Sequence, residues 1–86
     1  MEHSDELTPF YRAVDAASLG RSIAEARKEA ALTQHELAVR LGVTRGTIVR
    51  LEAGEAVSMV VAMQAIRAVG RDVALVPRFS KLQVRP

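Results

Sequence analysis

Cysteine is absent from this chain of 86 residues, and aromatic residues are scarce. Aromatics make up 3% of the sequence and hydrophobic residues 49%, so the core must consist of Leu, Ile, Val, Met and Ala. Without cysteine, neither a disulfide framework nor a thiolate metal site can form, which fits a reducing cytosol. We therefore expect one small cytoplasmic domain without metal or cofactor.

Long apolar runs are missing as well. The longest nearly uninterrupted run, residues 56–63, is far shorter than the roughly 20 residues that a membrane span requires. The polar residues 1–6 do not form a signal peptide. We therefore expect no membrane partner.

The residue patterns typical of enzymes are also absent. The sequence contains no glycine-rich phosphate loop and no metal-ligand spacing, and its two histidines are His3 and His35. His3 belongs to a polar arm, and His35 is most simply a solvated helix residue. We expect no catalysis, which leaves binding to DNA and binding to another protein as the functions to weigh.

Charge is distributed unevenly, although the net charge is only +2. Residues 1–18 carry four acidic residues and one basic residue, whereas residues 67–86 carry five basic residues and one acidic residue. The first segment would be repelled by DNA and the second attracted. We divide the chain into an acidic arm (1–18), a helical DNA-binding domain (19–70) and a dimerising strand with a basic tail (71–86).

Five helices are predicted, the first of them short. Pro9 suits the first position of a helix from residue 9 to about residue 17. Four further helices follow from apolar periodicity and from residues that can cap a helix N terminus. These caps are Ser18, Thr33, Thr44 and Ser58. Thr33 and Glu36 form a capping box, and Gly42 ends the helix that follows.

The segment of residues 72–76 is short and contains the β-branched residues Val73 and Val76, and Pro77 follows it. This composition is typical of a strand. The sequence offers no second strand, so we expect pairing with the same segment of another copy across a twofold axis. The predicted dimerisation residues are Val73, Ala74, Leu75 and Val76. The alternative is a loop that packs on the core.

The helix after Thr44 has an outward face suited to DNA. If Ile48 and Leu51 are buried, the residues that point outward are Arg45, Gly46, Val49, Arg50 and Ala53. Arginine can donate two hydrogen bonds to guanine, and valine can contact the methyl group of thymine. Glycine lowers helix propensity, which fits a position that DNA approaches closely. We expect Arg45, Gly46, Val49 and Arg50 to contact bases.

Polar side chains at the starts of the second and third capped helices are suited to contact phosphates. They are Gln34, Thr44 and Thr47. Helix N termini with hydroxyl and amide groups commonly position a DNA-binding protein on the phosphate backbone. For Thr44, capping alone is the alternative.

Residues 32–54 resemble the Cro/C1-type (Xre family) helix-turn-helix. The similarity includes the Thr33-Gln34 opening and the close from Leu51 to Gly54, and it extends over about residues 19–70. It implies an all-α, lambda-repressor-like fold of four to five helices. It also implies a bacterial repressor that binds an inverted-repeat operator as a homodimer, with a structural ion pair between Arg27 and Glu52. The family usually has glycine where Ala31 stands and a longer polar side chain where Gly46 stands.

Residues 68–78 resemble HipB-type antitoxins. In that subgroup a strand after the last helix pairs between protomers, and the protein represses its own operon and neutralises a HipA-like kinase toxin. The resemblance therefore implies a repressor that is the antitoxin of a HipBA-like operon. The alternative is a stand-alone Xre-type or phage-type repressor without a toxin partner.

Overall fold

The computed structural model describes residues 10–78, which form four α-helices. These are α1 (Ala16–Glu29), α2 (Gln34–Leu41), α3 (Arg45–Glu52) and α4 (Met59–Ala68). No strand occurs among the described residues, so the predicted all-α class is confirmed for them. In the same part of the chain, no helix is long and apolar enough to cross a membrane.

The predicted N-caps of α2, α3 and α4 are confirmed. The hydroxyl groups of Thr33, Thr44 and Ser58 each accept the backbone N–H three residues later. Gly42 adopts the left-handed conformation with φ of 70° and ends α2, as predicted. Local capping chemistry therefore fixes the starts of these three helices.

The predicted start of α1 is wrong, because Asp15 and not Ser18 is its N-cap. The Asp15 carboxylate accepts the Ser18 backbone N–H at 2.8 Å, and the Ser18 hydroxyl accepts the Asp15 N–H at 3.1 Å. This reciprocal pair is a capping box, which lets the helix begin at Ala16. Residues 10–14 are not helical, so the short helix predicted before Ser18 is absent there, and Pro9 lies outside the described residues.

Capping also changes the acidity of two carboxyl groups. The pKa of Asp15 is lowered because its carboxylate accepts hydrogen bonds from Ser18, and the pKa of Glu36 is lowered in the same way by Thr33. A lowered pKa in the folded state means that the charged form stabilises the fold. This contribution is present above the ordinary carboxyl pKa and is lost as the pH falls through the lowered value.

The core between the four helices is aliphatic, as the composition predicts. Its buried members are Ile23, Ala26, Leu37, Ala38, Ile48, Leu51, Ala65, Ile66 and Val69. Leu37 of α2 and Ile48 of α3 are completely buried. Leu41 at the end of α2 and Val43 in the turn that follows also pack against the core. This packing fixes the orientation of α3 relative to α2.

The backbones of α1 and α3 approach each other closely at Gly20. A Cβ atom on Gly20 would lie 2.5 Å from the carbonyl oxygen of Glu52 and 2.6 Å from that of Leu51. On the other side of the same contact, a Cβ atom on Gly54 would lie 2.7 Å from the Cα of Ala17. Only glycine fits at Gly20, because the atoms it faces belong to the backbone.

The turn between α1 and α2 contains a strained residue. Ala31 has a φ of 60°, the left-handed conformation that costs a residue with a Cβ roughly 1–2 kcal/mol. This is the position at which the family that the sequence resembles usually has glycine. The turn therefore adopts a left-handed conformation with a residue that is less favourable there than glycine.

The strand predicted over residues 72–76 is not formed within the single described chain. Residues 71–77 have no regular secondary structure, and an antiparallel pair would need a second copy. The alternative of a loop packed on the core does not describe this segment either, because Leu75 is 96% exposed. The basic tail predicted beyond residue 78 lies outside the described residues.

We expect opposite stability changes from alanine at two helical glycines. Gly20→Ala should lower the free energy of unfolding by about 1–3 kcal/mol, because its Cβ overlaps the α3 backbone. Gly46→Ala should raise it by about 1 kcal/mol, because its Cβ would make only ordinary contacts and alanine favours helix. Urea denaturation of both variants measures the difference, and a stabilised Gly20→Ala would contradict the close approach.

Candidate nucleic-acid interface

Helix α3 presents an exposed face that carries no acid of its own. Ile48 and Leu51 are buried against the domain, which places the opposite side of the helix in solvent. The exposed residues on that side are Arg45, Gly46, Val49, Arg50 and Ala53. Glu52 is the acidic residue of α3, and its side chain turns inward and is only 8% exposed. The exposed face therefore combines two arginines with small and apolar residues.

The glycine on this face is not required by packing within the described chain. A Cβ atom on Gly46 would lie 3.7 Å from the Thr44 Oγ1 and 3.8 Å from an Arg50 Nη1, which are ordinary contact distances. Its backbone is therefore open to a partner that comes close to the helix.

The residues predicted to contact phosphates lie at the adjacent starts of α2 and α3. Thr44 is exposed, and its hydroxyl caps α3 by accepting the Thr47 N–H at 3.2 Å. The two threonine hydroxyl groups are 3.1 Å apart. Gln34 is half-buried, and its side chain contacts Arg45. The structure thus brings the predicted phosphate and base contacts to one surface.

Arg27 and Glu52 form a buried ion pair with two hydrogen bonds. Arg27 Nε donates to Glu52 Oε2 at 2.6 Å, and Nη2 donates to Oε1 at 3.1 Å. The side chains are 10% and 8% exposed. Arg27 Nη1 also donates to the Leu32 carbonyl oxygen at 2.8 Å. The pair therefore ties α1 to the end of α3 and to the turn before α2.

Gln34 connects this ion pair to the exposed face. Its Nε2 donates to Glu52 Oε1 at 3.0 Å, and its Oε1 accepts from Arg45 Nη2 at 3.2 Å. The sequence alone does not reveal this connection, because residues that lie 18 and 11 positions apart leave no periodic signal. The interface thus rests on a side-chain network that begins in the core.

A second polar cluster holds the start of the C-terminal segment against α1. The Tyr11 hydroxyl donates to Glu29 Oε2, and Arg71 Nη2 donates to Glu29 Oε1 at 2.8 Å. The Arg71 guanidinium lies 5.1 Å from the centroid of the Tyr11 ring. The hydrogen bond to Glu29 raises the pKa of Tyr11, because it favours the protonated hydroxyl. This cluster fixes the point at which residues 72–78 leave the domain.

The predicted dimerisation residues lie in that C-terminal segment, and their side chains are exposed. Val73 and Val76 are 48% and 43% exposed. Further exposed apolar side chains lie on α4, where Met59, Val60 and Met63 face solvent. Among residues 10–78, no group of three or more acidic or histidine side chains is arranged to hold a metal ion.

We expect the ion pair to contribute strongly to stability. Glu52→Ala leaves the buried Arg27 guanidinium without its carboxylate, which should lower the free energy of unfolding by about 3–5 kcal/mol. The exposed pair between Lys28 and Glu25 is the control, since Glu25→Ala should cost less than about 1 kcal/mol. Thermal melting measures both, and a Glu52→Ala protein that melts like the parent would contradict the assignment.

Comparison with known proteins agrees with this arrangement of helices. A protein-family model described as a helix-turn-helix domain matches residues 18–79. A protein from Methanothermobacter thermautotrophicus, named as an uncharacterized HTH-type transcriptional regulator, is 53% identical over 51 residues. That match covers 58% of this chain and 74% of the relative. The family match begins in the first turn of α1 and continues past the end of α4, and the chain belongs to the helix-turn-helix domain family.

Proposed function

We propose that this chain is a sequence-specific DNA-binding transcriptional repressor whose α3 lies in the major groove. The observation that carries the proposal is the segregation of charge on α3, where Arg45 and Arg50 are exposed and Glu52 is turned into the core. Membership of the helix-turn-helix family and the name of the Methanothermobacter relative, a transcriptional regulator, support the same function.

Some residues of the interface would contact bases, and others would contact phosphates. Arg45 and Arg50 would donate to the O6 and N7 atoms of guanine, and Val49 would contact a thymine methyl group. Gly46 would let the backbone come close to the base edges. The phosphate backbone would be contacted by Gln34, Thr44 and Thr47 and by the N–H groups at the starts of α2 and α3.

A homodimer is the second part of the proposal. Residues 72–76 would pair antiparallel with the same segment of another copy, and the exposed side chains of Met59, Val60 and Met63 on α4 would be covered beside it. A twofold dimer binds an inverted repeat, with half-sites about 34–36 Å apart or at a multiple of that distance.

The most specific part of the proposal is that this chain is an antitoxin, which neutralises a HipA-like kinase and represses its own operon. The resemblance of residues 68–78 to HipB-type antitoxins supports it. A stand-alone Xre-type or phage-type repressor is the alternative. A reading frame for a kinase-like protein next to this gene, whose product binds this chain on co-expression, would support the antitoxin. A neighbourhood without such a frame favours the stand-alone repressor.

The base contacts predict a selective loss of operator affinity. Arg45→Ala and Arg50→Ala should each weaken binding by about 1–3 kcal/mol and relax discrimination at one operator position, while the fold stays intact. Arg21→Ala on α1, which also removes one exposed positive charge, is the matched control and should not change discrimination. Fluorescence anisotropy with the operator measures the effect. Unchanged affinity in a folded double variant would contradict the role of α3.

Gly46→Ala separates the DNA contact from stability. The added methyl group has room within the chain, so the folded variant should melt at a higher temperature than the parent. In the complex, the methyl group would lie between α3 and the base edges. We therefore expect affinity for the operator to fall at least about tenfold, which corresponds to about 1.4 kcal/mol of binding free energy. Parental affinity in the more stable variant would show that DNA does not approach this position.

The C-terminal segment predicts the oligomeric state. Ala74→Pro removes a backbone donor from the paired segment and should weaken both dimerisation and operator binding without unfolding the helices. Truncation after Arg71 should have the same effect and leaves the Tyr11–Glu29–Arg71 cluster in place. Sedimentation equilibrium measures the dimer. A monomeric parent, or an equally tight truncated dimer, would contradict the pairing.

A further inference from the structure

We propose that Glu52, in addition to pairing with Arg27, orients Arg45 through Gln34 and thereby contributes to base discrimination. Gln34 and Glu52 are in this view positioning residues for the arginine that contacts the base. The inference deepens the proposed function and rests on it. It gives the buried ion pair a role that stability alone does not include.

The chemistry of the three side chains permits one orientation of the Gln34 amide. A carboxylate only accepts hydrogen bonds, and a guanidinium only donates them. The amide nitrogen must therefore face Glu52, 3.0 Å away, and the amide oxygen must face Arg45, 3.2 Å away. The reversed amide would place two acceptors together at one end and two donors at the other.

The Glu52 carboxylate is itself held in one orientation. Both of its oxygens accept from Arg27, and the Arg27 guanidinium is fixed by the Leu32 carbonyl oxygen. With a side chain only 8% exposed, Glu52 has little freedom to rotate. The Gln34 amide therefore rests on a rigid support, as a precise recognition site requires.

The consequence for Arg45 is a restricted side chain before DNA arrives. An arginine that is free in solution loses rotamer freedom when it binds a base. Arg45 is held at Nη2 by Gln34, so part of that ordering is completed on folding. Arg50 lies on the same exposed face, whereas the hydrogen bonds of Gln34 within residues 10–78 lead to Glu52 and Arg45. Arg50 is thus an internal reference.

A contact between Gln34 and a phosphate would have a different signature. Loss of a phosphate contact weakens binding to all sequences by the same factor and reduces its salt dependence. Loss of positioning reduces the preference for one base at one operator position. The two roles can therefore be separated in a single set of binding measurements.

The experiment uses Gln34→Lys and Gln34→Met in the full chain, with His35→Lys as the charge-matched control on an exposed neighbour. The operator is first obtained by selection from a random DNA pool with the parent protein. Arg45→Ala and Arg50→Ala then identify the two base positions that these arginines discriminate. Kd is measured for the operator and for its single-base variants at both positions, and thermal melting establishes that each variant is folded.

Gln34→Lys can still donate to Glu52 and to a phosphate but offers Arg45 no acceptor. We expect it to reduce discrimination at the Arg45 position at least about fivefold, which is the low end of what a bidentate contact supplies. Discrimination at the Arg50 position should stay unchanged. Gln34→Met should cause the same loss of discrimination at the Arg45 position, together with a uniform weakening on all sequences because its side chain cannot donate to a phosphate. Combined with Arg45→Ala, it should cause no further loss of discrimination at that position. His35→Lys should leave both positions unchanged.

Three results would overturn the inference. Folded Gln34 variants with parental discrimination would show that Arg45 needs no support. Equal weakening on all sequences without loss of discrimination would limit Gln34 to its phosphate contact, and equal loss at both base positions would indicate a general change in α3. If the parent protein selects no DNA sequence, the proposed function itself fails and the inference falls with it, an outcome distinct from the other three.

Discussion

The buried ion pair between Arg27 and Glu52 is the interaction on which the placement of α3 depends. Its two hydrogen bonds join the end of α1 to the end of α3, and the third hydrogen bond of Arg27 reaches the turn before α2. Gly20 allows the two helix backbones to come close enough for this pair to form. Burial of a pair is costly unless its geometry is satisfied, and here no buried polar side-chain atom among the described residues is left without a partner.

The same pair explains how the acidic and basic side chains of one short helix are separated onto different faces. Glu52 would otherwise repel DNA from the end of α3. Turned into the core and neutralised by Arg27, it leaves an exposed face with Arg45 and Arg50 and serves as the anchor for Gln34. Burial of Leu37 and Ile48 in the common core holds that face outward. Core, ion pair and surface are therefore parts of one arrangement.

The starts of α2, α3 and α4 could be predicted because their caps are local: a threonine or serine and the N–H three residues later decide them. The start of α1 was missed although its signal is also local, since Asp15 precedes Ser18 by the spacing of a capping box. The Gln34 and Tyr11 networks could not be predicted, because each joins residues that only the packed helices bring together. The segment 72–76 depends on a second copy, so its β-branched composition alone could not determine its conformation.

The exposed face of α3 is the surface that we propose meets DNA. The most direct measurement is the change in backbone amide chemical shifts when the uniformly labelled full chain is titrated with a duplex of its selected operator. The account predicts that the perturbed amides cluster at the starts of α2 and α3, with Gln34, Arg45, Gly46 and Val49 among them. Perturbations confined to α4 and residues 72–76, with α3 unchanged, would contradict it.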